Sequence, residues 1–128
     1  MKQEYVSYIR EQLHAVLGID SPSGCTEQVQ EYLCGTLRAM GYGPHRLKKG
    51  GVHVTLGGEG APLTLLSHAD TLGAVVQYIK PNGRLAISNM TLNVFNAEAE
   101  NVRVITRFDG AYEGTLQLCN ASVHVNPD

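Results

Sequence analysis

Residues 64–76 read "TLLSHADTLGAVV", and the fold of the chain turns on how they are read. An apolar run closes on Ser67-His68-Ala69-Asp70, Thr71-Leu72-Gly73 follows, and the chain becomes apolar again. The near-continuous apolar run over residues 63–66 predicts a strand covered on both faces, as in an α/β sheet. Side chains two apart on a strand point the same way. His68 and Asp70 are therefore expected to project together from the strand's C-terminal end, the sheet edge where ligands bind. Gly73, immediately behind them, lets the backbone leave that edge sharply.

Upstream, the pattern is helical. Val6, Ile9, Leu13 and Val16 recur at three- and four-residue steps until Gly18, which predicts a first amphipathic helix. The turn-forming Asp20-Ser21-Pro22-Ser23-Gly24 separates it from a second stripe, Val29, Leu33, Leu37 and Met40, that ends at Gly41. A glycine there suits a helix C-terminus because it accepts a positive φ. Short strands are expected next, over residues 45–48, 52–56 and 63–68, separated by Lys49-Gly50-Gly51 and by a glycine-rich segment over 57–62.

Downstream of Gly73 the pattern is β throughout. Residues 74–79 and 84–88 flank Pro81-Asn82-Gly83, and Asn-Gly predicts a hairpin with a type I′ turn. Val102, Val104, Thr106 and Phe108 alternate up to Asp109-Gly110, and Tyr112, Gly114, Leu116 and Leu118 alternate away from it, a second hairpin. Val123 and Val125 open one more strand. The change of pattern marks a domain boundary, with residues 1–73 forming helices on a sheet and residues 74–128 forming a small barrel or sandwich.

Composition narrows the function classes. A chain of 128 residues is one ordinary domain or two small lobes. Its net charge is −2 with scattered basic residues, which argues against nucleic acid or an anionic membrane as partner. No segment has the roughly 20 apolar residues of a membrane span, and the charged start MKQEYVSYIREQLHAV lacks a signal-peptide core. Cys25, Cys34 and Cys119 are odd in number and lack C-x-x-C spacing, so buried reduced thiols in a cytoplasmic protein are expected.

His68 carries two readings. One imidazole nitrogen can bind a metal while Asp70 accepts a hydrogen bond from the other, which fixes the tautomer and raises ligand basicity. The other reading is a hydrogen-bonded strand-end histidine with no ligand, and His-x-Asp by itself does not separate them. His14, His45, His53 and His124 sit where a solvent-facing side chain is expected. Glu98 and Glu100 read as a solvated loop rather than paired catalytic carboxylates, and no Walker loop, dinucleotide fingerprint or nucleophile elbow occurs.

Several segments together resemble the N-terminal portion of the M42 metallo-aminopeptidases, the tetrahedral, glutamyl and deblocking aminopeptidase group, some of them named endoglucanases. They are "SPSG" before the second helix, "LRAMGYG" at its end, "LLSHADTLGAVVQYI" with its "NGRL" turn, and "YEGTLQL". The resemblance implies an α/β fold, here an incomplete aminopeptidase-like helix-and-sheet catalytic lobe (1–73) followed by a small β-barrel-like domain used in assembly (74–128, itself incomplete). It implies that His68 binds one of two divalent metal ions, zinc or cobalt, and that Asp70 orients His68. The family's bridging aspartate, catalytic glutamate and remaining ligands lie beyond the β domain, so the resemblance implies a fragment that is inactive alone. The expected substrate is a peptide, the expected assembly a homo-oligomer. A non-catalytic oligomerisation module is the alternative, and glycoside hydrolysis, resting on family names alone, ranks last because paired carboxylates are not evident.

Overall fold

The computed structural model describes residues 2–90, 92–93, 95–108 and 110–119. The chain divides into two compact units, Met1–Gly73 and Ala74–Asp128. Helices α1 (Gln3–Leu17) and α2 (Glu27–Ala39) and a minimal hairpin, β1 (His45–Arg46) with β2 (Val52–His53), belong to the first. Two further antiparallel hairpins, β3 (Ala74–Ile79) with β4 (Leu85–Asn89) and β5 (Asn101–Ile105) with β6 (Ala111–Thr115), belong to the second. The architecture is thus mixed, helices with small antiparallel sheets. Among the described residues each sheet has two strands, and none closes into a barrel.

Both helices end as their glycines predict, by different routes. Gly18 caps α1 in ordinary helical conformation, its N–H donating to the His14 carbonyl. Past α2, Gly41 takes φ 90°. Its N–H donates to the Arg38 carbonyl while that of Tyr42 donates to the Leu37 carbonyl. This is the Schellman arrangement, which satisfies carbonyls the helix leaves unpaired. Val29, Gln30 and Cys34 of α2 are buried, whereas no residue of α1 is. The apolar stripe of α1 is real in pattern but open to solvent, with Ile9, Leu13 and Leu17 more than half exposed. A polar contact links the helices, Tyr32 Oη donating to Gln12 Oε1 at 2.9 Å.

The expected strand over residues 63–68 does not form. Those residues lie outside any helix or sheet, and Leu63, Leu65 and Leu66 are 85%, 82% and 92% exposed. Apolarity marks a segment that gains from burial, but a strand exists only where a neighbour accepts its backbone hydrogen bonds. Among the described residues the segment finds such a neighbour only beyond its end, at Thr71, which pairs in parallel with Pro22. The expected strands over 45–48 and 52–56 shrink for the same reason to the two-residue ladder His45↔His53 and Arg46↔Val52.

The β3–β4 turn corrects the type I′ expectation. Lys80 and Arg84 close a three-residue loop, Lys80 N–H donating to the Arg84 carbonyl at 2.7 Å and Gly83 N–H to the Lys80 carbonyl at 2.9 Å. Of the loop residues only Gly83 has positive φ, 80°. Pro81 presets the negative φ of a type I turn, and the glycine then takes the left-handed position of a bulged three-residue loop. The β5–β6 ladder pairs Val102↔Gly114 and Val104↔Tyr112; exposure alternates along β5 with the expected period of two, whereas β6 is exposed at every position but Gly114. Glu98 is less solvated than expected, since its Oε2 accepts the Leu118 N–H at 2.5 Å. Of the three free cysteines Cys34 alone is buried, while Cys25 and Cys119 are exposed. His124 and the strand expected at Val123 and Val125 lie outside the described residues.

Candidate metal-binding histidine and its clamp

The site is assembled from two loops nearly fifty residues apart. The first follows α1, where Ile19-Asp20-Ser21-Pro22 runs into a tight turn closed by Cys25 N–H donating to the Pro22 carbonyl at 2.8 Å. Gly24, third in that turn, has φ 88°, as a type II turn requires. Ser23 is therefore held at the second position, four residues before α2 begins at Glu27. The second loop is Ser67–Gly73, whose chain is pinned to the first by backbone and side chain alike. Thr71 N–H donates to the Ser21 carbonyl at 2.8 Å, and Ser21 Oγ donates to the Ala69 carbonyl at 3.0 Å. Ser21 is fully buried, so its hydroxyl is placed rather than merely permitted.

Gly73 completes the clamp by being small. A Cβ on Gly73 would lie 2.5 Å from the Pro22 Cβ. Close approach to Pro22, and not an unusual φ, is what this position demands.

Between these anchors the structure brings His68 and Asp70 together without a strand to align them. His68 Nδ1 lies 2.9 Å from Asp70 Oδ1 and 3.2 Å from the Asp70 carbonyl. The second carboxylate oxygen, Oδ2, accepts a hydrogen bond from Ser23 Oγ at 2.5 Å. Hydrogen bonds from Ser23 first, and then from His68, hold the Asp70 carboxyl below its ordinary range. An ionised carboxylate only accepts hydrogen bonds, so the proton shared with it resides on His68 Nδ1. The lone pair of the neutral ring is then on Nε2, the nitrogen a metal would take. The His68 side chain is 86% exposed and that of Asp70 36%.

Ser21 and Ser23 are the residues that sequence reading passes over, as members of a turn. "SPSG" is the only trace they leave, and nothing local connects it with a histidine 45 residues on. His14, His45 and His53 are exposed and remote from this arrangement in sequence. His45 and His53 face each other across β1 and β2 with ring centroids 4.7 Å apart. Among the described residues no group of three His, Cys, Asp or Glu side chains is placed to hold a metal ion.

The M42 glutamyl aminopeptidase family matches residues 50–128, a span that includes His68, Asp70 and Gly73. This chain belongs to the M42 peptidase family. A Bacillus subtilis (strain 168) protein carrying the name "Putative aminopeptidase YhfE" is 35% identical over 121 residues. That alignment takes in 92% of this chain and 35% of the relative. The M42 chain described here thus spans about a third of the length of the curated relative it matches. Among the described residues no helix is long and apolar enough to cross a membrane.

Proposed function

We propose that this chain is the N-terminal portion of a two-metal aminopeptidase that removes N-terminal amino acids from peptides. The observation that carries the reading is the bond from His68 Nδ1 to Asp70 Oδ1, set inside a family match to M42 peptidases. Two divalent ions, zinc or cobalt, would supply an activated water for attack on the first peptide bond. His68 would hold one of them through Nε2, because Asp70 keeps the ring proton on the opposite nitrogen. Asp70 would act by orienting that ring. These residues fit the edge of a metal site and no more, since a catalytic zinc takes about three protein ligands. The chain alone is accordingly proposed to be inactive, and the intact protein to be cytoplasmic and to act on peptides with a free N-terminus.

His68→Ala in the longer protein tests the assignment. Activity on a leucine chromogenic substrate should fall steeply with metal content reduced at one site, while the 128-residue chain leaves that substrate uncut. Full metal loading and full turnover in the variant would remove His68 from the ligand set.

A second reading is a non-catalytic oligomerisation module derived from such an enzyme. Exposed apolar residues in each unit, Ile9 and Leu13 on α1 and Val75 and Ile79 on β3, support association. Metal content of the longer protein separates the two readings.

A further inference from the structure

The hydroxyl of Ser23 is better placed than a turn residue needs. Its position is fixed from both sides, by the turn closed at Cys25 and by the pairing of Pro22 with Thr71. Asp70 in turn sits between two backbone anchors, the Ala69 carbonyl held by Ser21 Oγ and the Thr71 N–H held by the Ser21 carbonyl. A carboxylate with one oxygen on an imidazole can still rotate about its χ2 bond. A second hydrogen bond to its other oxygen removes that freedom.

We propose that Ser23 is a positioning residue for His68. Its hydroxyl donates to Asp70 Oδ2, which locks the carboxylate plane so that Oδ1 holds the imidazole in the Nδ1–H tautomer with Nε2 directed away from the carboxylate. The inference deepens the reading of His68 as a metal ligand and rests on it for its purpose, though the hydrogen-bond chain itself does not. Ser21 contributes backbone placement and Ser23 side-chain direction, so the two serines of "SPSG" have separable duties. Methyl branching at position 23 retains the donor, whereas loss of the oxygen leaves Asp70 with His68 as its sole side-chain partner among those described here.

Long-range proton–nitrogen NMR of the 128-residue chain reads the His68 tautomer directly, at a pH where the ring is neutral. The wild-type ring should be mainly Nδ1–H. Ser23→Ala should raise the Nε2–H to Nδ1–H ratio by about tenfold, the order expected for losing one charge-assisted hydrogen bond, and Ser23→Thr should restore it. An unchanged ratio in Ser23→Ala overturns the proposal. If Ser23→Ala disturbs amide signals throughout the first unit, the wild-type spectrum still decides, because a ring mainly in the Nε2–H form overturns it as well. Metal content of the longer protein carrying His68→Ala is the separate arm. Loss of metal at one site supports the metal reading, and full loading, beside an intact tautomer response in the 128-residue chain, rejects that reading while the Ser23 relay stands.

Discussion

At the scale of single residues, the site depends on one side chain that is absent and one that is ionised. Gly73 packs where a Cβ would meet Pro22 at 2.5 Å, a distance no relaxed structure keeps. Gly73→Ala must push the 67–73 segment off Ser21 and Pro22, and overpacking of this kind costs about 1–3 kcal/mol. Urea unfolding should register that loss, and His68 and Asp70 signals should shift with it. A variant as stable as wild type would mean that the two loops do not approach this closely. Asp70 supplies the second expectation. Its carboxyl is held low by Ser23 and His68, so it favours the folded loop at pH above the ordinary carboxylate value, and that contribution fades as pH falls through the lowered folded value. A carbon-detected titration of the metal-free chain should place the Asp70 midpoint below the ordinary aspartate value, and a midpoint in the ordinary range would contradict the geometry. The signals for these roles differ in legibility. His-x-Asp is visible as a spacing, but the Ser23–Asp70 contact spans 47 residues, and no local pattern encodes it.

At the scale of elements, what could be read was what local physics decides. Both helices follow from apolar periodicity, and both hairpins of the second unit follow from alternation around Asn-Gly and Asp-Gly. Turn detail was less legible, because Pro81 changes what Asn82-Gly83 can do and turns an expected two-residue turn into a bulged one. The segment over 63–68 shows the limit more sharply. Its composition is that of a buried strand, yet Leu66 is 92% exposed, since pairing is a property of two segments and a sequence pattern describes one. The Schellman ending of α2 offers a test at this scale. Gly41 at φ 90° leaves open space around its Cα, so Gly41→Ala meets backbone strain and no clash. A cost of about 1 kcal/mol or somewhat more is expected, read as a lower melting temperature with the α2 amides losing protection first. Gly41→Asn should recover part of it, because asparagine tolerates the left-handed region better than alanine does. Equal stability of glycine and alanine at this position would show that the helix ends otherwise.

At the scale of the whole molecule, the balance of buried and exposed apolar surface makes self-association the expected state. Among the described residues the buried apolar ones are few and mostly small, Val29, Cys34, Ala86 and Ala97. Against them stand Leu63, Leu65 and Leu66, then Val6, Ile9, Leu13 and Leu17 on α1, and Val75, Val76 and Ile79 on β3, all exposed. Among the described residues each sheet has two strands, and the edges of such small sheets can template a further strand. Monomeric proteins seldom leave large apolar side chains uncovered in such number, and burying them in a partner copy is driven by the same hydrophobic effect as burying them internally. The 128-residue chain should therefore run as a dimer or larger species at micromolar concentration. Light scattering coupled to size exclusion measures this directly. Replacing Leu65 and Leu66 by lysine should shift the distribution towards monomer without touching the Ser23–Asp70–His68 contacts, because the charges fall on the exposed run and leave the clamp in place. If the wild-type chain is instead a monodisperse monomer that melts cooperatively, its apolar segments are covered by internal packing, and the exposure of residues 63–66 is not the state in solution.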